Sequence, residues 1–169
     1  SAVTVGGGAT FNLNGFNETI GSLAGAGAVT NNGAAAAALT TGGNNTSTAF
    51  SGSLQDGTGT LALTKAGTGA FTLSGNNIYT GTTTINAGTL TASGGSAIAD
   101  TSQVTLANTA GATLNLANSE TIGNRSGGGT TGGNVTLGAN TLTVNQAGAT
   151  TYSGVISGSG GLTKNGTGT

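Results

Sequence analysis

Few side chains in this chain of 169 residues can do acid–base or metal chemistry: the acids Glu18, Asp56, Asp100 and Glu120, the cations Lys65, Arg125 and Lys164, and the phenols Tyr79 and Tyr152. His and Cys are absent. That removes the imidazole base, the thiolate nucleophile, haem ligation and the usual zinc site. It also leaves the redox compartment unread. Cleavage of a sugar polymer would need paired carboxylates beside a base or calcium, but the four acids are scattered at wide spacing. No catalytic, cofactor-binding or metal-ligating residue is therefore assigned, and no cofactor is expected. The acids read as solvated or locally paired, Glu120 with Arg125.

The cations are as uninformative for catalysis. Lys65 and Lys164 occupy matching positions in two copies of "LTKxGTG", so a catalytic role would need two sites, each without an acid or base partner. A corner lysine that donates to carbonyls, or blunts lateral sheet association, fits better. Three cations cannot track phosphates, which excludes a nucleic-acid partner. Gly-rich pieces such as "GAGAVTNNG" lack the following helix and the Lys-Ser/Thr pair of a phosphate loop and read as turns. Tyr79 and Tyr152 could stack on a glycan, but they align with apolar or aromatic strand positions, Tyr152 with Phe50, so packing inside the fold is expected. A Thr-x-Thr ice-binding array would have to recur on successive coils, and only Thr82 to Thr84 and "TLTV" from Thr141 come close.

The elements that must position these residues emerge from composition and repetition. The chain has 35 Gly, no Pro, 4% charged residues and a net charge of −1. Leu, Ile, Val and Phe number only 31, yet disorder through charge repulsion is not the reading when net charge is near zero. No apolar run reaches the roughly 20 residues of a membrane-spanning helix, so the segment is not membrane-embedded. "SAVTVGGGAT" has no basic leader region, as expected of a mature or excised piece.

The chain also copies itself. "VTVGGGATFNLNGFNETIG" from Val3 corresponds to "VTLANTAGATLNLANSETIG" from Val104, so that Glu18 aligns with Glu120 at an offset of 102. "TAFSG" ending at Gly52 corresponds to "TTYSG" ending at Gly154, and "LTKAGTG" from Leu63 to "LTKNGTG" from Leu162. The expected organisation is one β-solenoid segment over 1–169. It holds a complete unit at 1–101 and a partial second unit at 102–169, cut from a longer repetitive protein.

Short alternating runs between Gly and Asn, such as "TLALT", "AFTLS", "TTTIN", "ATLNLAN" and "TLTVN", have the period of strands. "GAAAAALTT" is too short to stand as a helix and reads as strand. Many strands, no helices and a restarting unit favour a β-solenoid over a closed sandwich, with coils of roughly 20 residues, about eight coils and a rod on the order of 40 Å. Its interior is expected to hold Leu61, Leu63, Phe71, Leu73, Ile85, Leu90, Leu114, Leu116, Leu137, Leu142 and Val144. Glu18 and Glu120 should lie five coils apart on the same face.

Residues Gly59 to Leu90, "GTLALTKAGTGAFTLSGNNIYTGTTTINAGTL", resemble the autotransporter-associated β-strand repeat, or passenger-associated transport repeat. The Leu-Thr-Lys step at 63–65, Gly67 and Gly69, the Ser-Gly at 74–75, the Tyr-Thr-Gly at 79–81 and the Asn-Ala-Gly-Thr-Leu at 86–90 carry the likeness. It implies an all-β, single-stranded, right-handed parallel β-helix in the exported passenger of a type V secreted bacterial surface protein. The role it implies is structural or adhesive and non-catalytic. Alternatives are a segment of a self-assembling extracellular fibre and, less favoured, a polysaccharide-active β-helix enzyme. The expected partners are a second copy end to end through terminal coils, and a glycan or a host or cell surface.

Overall fold

A run of alternating Thr and Leu pays little for pairing edge to edge with a copy of itself, because each backbone donor finds a carbonyl in the coil above or below. The computed structural model, which describes residues 1–169, is built entirely on that economy. Twenty strands pair only in parallel, and no helix forms, so none is long and apolar enough to cross a membrane. The strands stack into three sides of a parallel β-helix. Side one holds eight strands, from β1 (Ala2–Val5) through β4 (Ser22–Gly25), β7 (Thr48–Phe50), β10 (Phe71–Leu73), β12 (Thr89–Ala92), β14 (Thr113–Leu116) and β17 (Asn134–Gly138) to β19 (Ile156–Gly158). These mark eight coils.

Side three stacks β3 (Glu18–Thr19), β6 (Ala37–Thr41), β9 (Leu61–Lys65), β11 (Thr83–Ile85), β13 (Val104–Leu106) and β16 (Arg125–Gly127). Side two comes in two blocks. β2 (Thr10–Asn12), β5 (Ala28–Asn31) and β8 (Ser53–Asp56) form the first, and β15 (Glu120–Ile122), β18 (Leu142–Asn145) and β20 (Leu162–Asn165) the second. Between them, in coils four and five, residues 74–82 and 93–103 cross this side without a strand.

Alternation delivers the core. All eleven residues expected inside are buried, in one cluster of 30 apolar side chains. They form columns, for example Phe50, Leu73, Ala92 and Leu116 on side one. "GAAAAALTT" ends as β6, a strand. Corners are made by residues able to take positive φ: Gly67 at φ 64°, whose missing side chain admits the Gly42 carbonyl, and Asn14 and Asn45 at φ 52° and 63°.

One expectation fails. Val3 lies on side one but its counterpart Val104 on side three; Phe11 on side two but Leu114 on side one; Glu18 on side three but Glu120 on side two. Glu18 and Glu120 are five coils apart as expected, yet on different faces. From β1 to the residue before β13 the chain makes twelve strands and two strandless sides, fourteen sides or four and two-thirds coils. A 102-residue offset therefore returns each motif one side early.

Candidate functional site

Most of the chemically capable side chains hold the coil together. Lys65 stands in an inward column with Thr41 and Ile85, and its Nζ donates to the carbonyls of Ala66, Gly67 and Ala87 at 2.5, 2.8 and 3.2 Å. It is the corner lysine that the motif suggested. Burial lowers its pKa. Lys164, its sequence counterpart, is exposed and reaches only the Gly166 carbonyl at 3.2 Å. Asp56 accepts from the Leu61 and Thr80 amides and the Thr80 hydroxyl.

The strandless stretch of side two is bridged by side chains. Asn77 accepts from the Leu54 amide at 2.7 Å and donates to the Ala97 carbonyl at 2.6 Å, while Glu120 accepts from the Ala97 and Ile98 amides at 3.3 and 3.0 Å. The two link the blocks of side two where no ladder runs. Glu120 is 2% exposed. Burial pushes its carboxyl up to about 7, the two amides pull against that, and Asp100 adds repulsion.

The expected Glu120–Arg125 pair does not form. Arg125 occupies the inward column of Val104 and lies 4.1 Å from the centre of the Tyr152 ring, where copy one has the buried Leu23 and Phe50. Desolvation lowers the Arg125 pKa and raises that of Tyr152. Both tyrosines pack inward: Tyr79 is fully buried, its hydroxyl 2.6 Å from Thr83 Oγ1, and Tyr152 is half-buried and donates to the Gly133 carbonyl.

Two outward features went unread in the sequence. Side three carries a ladder of Thr19, Thr40, Thr64, Thr84, Thr105 and Ser126 over six coils. The neighbouring column is Ala38, Ala62, Thr82, Gln103 and Asn124, so the paired Thr array of an ice-binding face is not formed. Beside that column, at the corner between sides two and three, runs a polar groove of about 510 Å³. Thr80 and Thr82, Asp100 to Gln103, Gly123 and Asn124, and Asn145 with Ala147 line it across four coils. A smaller hollow of about 250 Å³ over the strandless stretch adjoins it through Asp100 and Thr101. Irregular corner lengths hide both features, because column membership depends on how many residues each corner inserts.

The model of the passenger-associated transport repeat family matches residues 63–92, which run from β9 to β12. The chain is 44% identical over 127 residues to an adhesin autotransporter, BmaC, of Brucella suis biovar 1 (strain 1330). The match covers 73% of this chain and 4% of that protein. The chain thus spans a small fraction of the length of the curated relative. No solved structure matches.

Proposed function

We propose that this chain, a β-helical passenger segment of autotransporter type built around a passenger-associated transport repeat, is a non-catalytic adhesive rod on the outside of the bacterial cell. One observation carries the reading: Lys65, Asp56 and Glu120 are committed to hydrogen bonds that hold one coil to the next, the Tyr79 hydroxyl is taken up by Thr83, and the groove contains a single acid with no second acid or base. What remains on the surface is a set of hydroxyl and amide ladders on a stiff frame, suited to contact and not to turnover. The adhesin relative supports the same role. Cells displaying the intact passenger with this segment deleted are expected to keep normal surface levels and attach less well to a host-cell layer. Unchanged attachment at equal display would overturn the reading.

A further inference from the structure

The groove at the corner of sides two and three is a concavity that runs across four coils of the rod. Its floor is made by Gly123, which is buried and carries no side chain; a Cβ there would stand 2.6 Å from the Thr101 carbonyl. Thr82, Gln103 and Asn124 are successive rungs of one outward column, held in step by the ladder bonds from the Thr83 amide to the Gln103 carbonyl and from the Val104 amide to the Asn124 carbonyl. The rungs recur at the coil spacing of about 4.8 Å, and four coils give a trough about 14 Å long parallel to the rod axis. Asp100 and Thr101 form one wall and Asn145 closes the far end.

Hydrogen-bonding capacity in the trough is unspent. Asn124 uses its Oδ1 on the Ala147 amide and Asn145 its Oδ1 on the Asn165 amide group, which leaves both Nδ2 groups to donate outward. Gln103 makes only a 3.5 Å contact to Ser126. Asp100 is exposed and its carboxylate has no cation beside it. The lining therefore offers a charged acceptor, amides that donate and accept, and hydroxyls that do either.

We infer that this trough binds a neutral saccharide chain, laid along the axis, with the Asp100 carboxylate accepting from sugar hydroxyls and Gln103, Asn124 and Asn145 bonding successive rings. This identifies the chemical class of the adhesive contact and rests on the adhesive reading. Anionic ligands are disfavoured: the trough has no cation and one carboxylate, so sulfated or phosphorylated polymers meet repulsion. A peptide is disfavoured because the only apolar lining is Ala147, which leaves no pocket for an anchor side chain. A linear polymer of hydroxyl-bearing rings matches both the lining and the periodic rungs.

Titration of the isotope-labelled chain by NMR tests it, using neutral oligosaccharides of β-linked glucose, mannose and N-acetylglucosamine from disaccharide to hexasaccharide, a sulfated oligosaccharide and an unrelated peptide. At least one neutral series is expected to shift the amides of Thr101, Gln103, Asn124 and Asn145, with affinity rising with length until the trough is filled. Asp100→Asn and Gln103→Ala should each weaken that binding by about tenfold, the cost of a lost charged or neutral partner, at an unchanged melting temperature. No shift at these amides with any neutral sugar, or shifts with the peptide or sulfated probe alone, would overturn the inference. Cells displaying full-length protein with both substitutions separate it from the broader reading. Reduced attachment supports the trough, whereas full attachment overturns the trough and leaves adhesion standing.

Discussion

Glu120 is a carboxylate inside a rod that has almost no charge to offer it. Two backbone amides favour the ionised form, but burial favours the neutral one more strongly, and the group is pushed up to about 7. Its folded value lies above the ordinary one. The stabilisation is therefore complete below about pH 4.5 and is lost as pH rises through about 7, a difference of up to about 3 kcal/mol. The melting temperature is expected to fall between pH 5 and pH 8 and to become nearly flat in Glu120→Gln; a wild-type curve without that fall would contradict the burial. The two copies of the lysine motif make a second comparison. Lys65→Met keeps the stem but leaves three carbonyls without their ammonium, at a cost of about 1–3 kcal/mol, whereas Lys164→Met should barely move the melting point. Equal effects would mean that the carbonyl cage contributes nothing. Sequence pattern identified the lysine as a corner group, since "LTKxGTG" puts it at a strand end. It did not separate Glu18, exposed, from Glu120, buried, because aligned residues were assigned to one face and corner lengths had moved them to two.

At the scale of the strand, alternation was the dependable signal: period two in a half-buried run decides which side chains point inward whatever the corner does next. Leu73 stands in a column between Phe50 and Ala92, fully buried. Leu73→Asp would place an unpaired charge there and is expected to cost several kcal/mol; an unaltered melting curve would show that the column had been assigned to the wrong face. The break in side two was invisible to the same reasoning. "SGNNIYTG" has no alternation to report, and nothing local in it reveals that Asn77 bonds two other coils, at Leu54 and Ala97, while Glu120 holds Ala97 and Ile98 from the next. Such bridges are long-range facts. Asn77→Ala leaves a buried donor and a buried acceptor unmatched, so about 2–4 kcal/mol should be lost. Hydrogen exchange should locate the damage, with the Leu54 amide losing protection before those of β10 and β12. Uniform loss across the rod would instead mean that the strandless stretch is no weaker than the ladders around it.

The whole molecule is a stack whose repeat and coil are incommensurate. Each unit of four and two-thirds coils turns the next by one side, so identical sequence meets different neighbours, and the pair Leu23 and Phe50 of one copy can become Arg125 and Tyr152 in the next. The resemblance at 63–92 made the fold legible; the rotation was not, since it depends on a count of sides that strandless segments conceal. The same stack presents three strands at one end and two at the other. β1, β2 and β3 at one end, and β19 and β20 at the other, pair on one face only. Apolar side chains are left partly uncovered there, Phe11 and Phe16 at the first coil and Leu162, 46% exposed, at the last. Another parallel coil placed on either end would extend the ladders that reach it and cover those residues, and with three cations and four acids little charge opposes it. The isolated chain is therefore expected to associate end to end as concentration rises, a contact that propagates because its two halves differ. Leu162 is in the inward column of Glu120 and Leu142, so Leu162→Lys would set a cation in the joint while disturbing little within the monomer. Sedimentation velocity should show a concentration-dependent mass for the wild type that the substitution abolishes at equal melting temperature. A species fixed at 15.7 kDa at every concentration would sink the end-to-end contact.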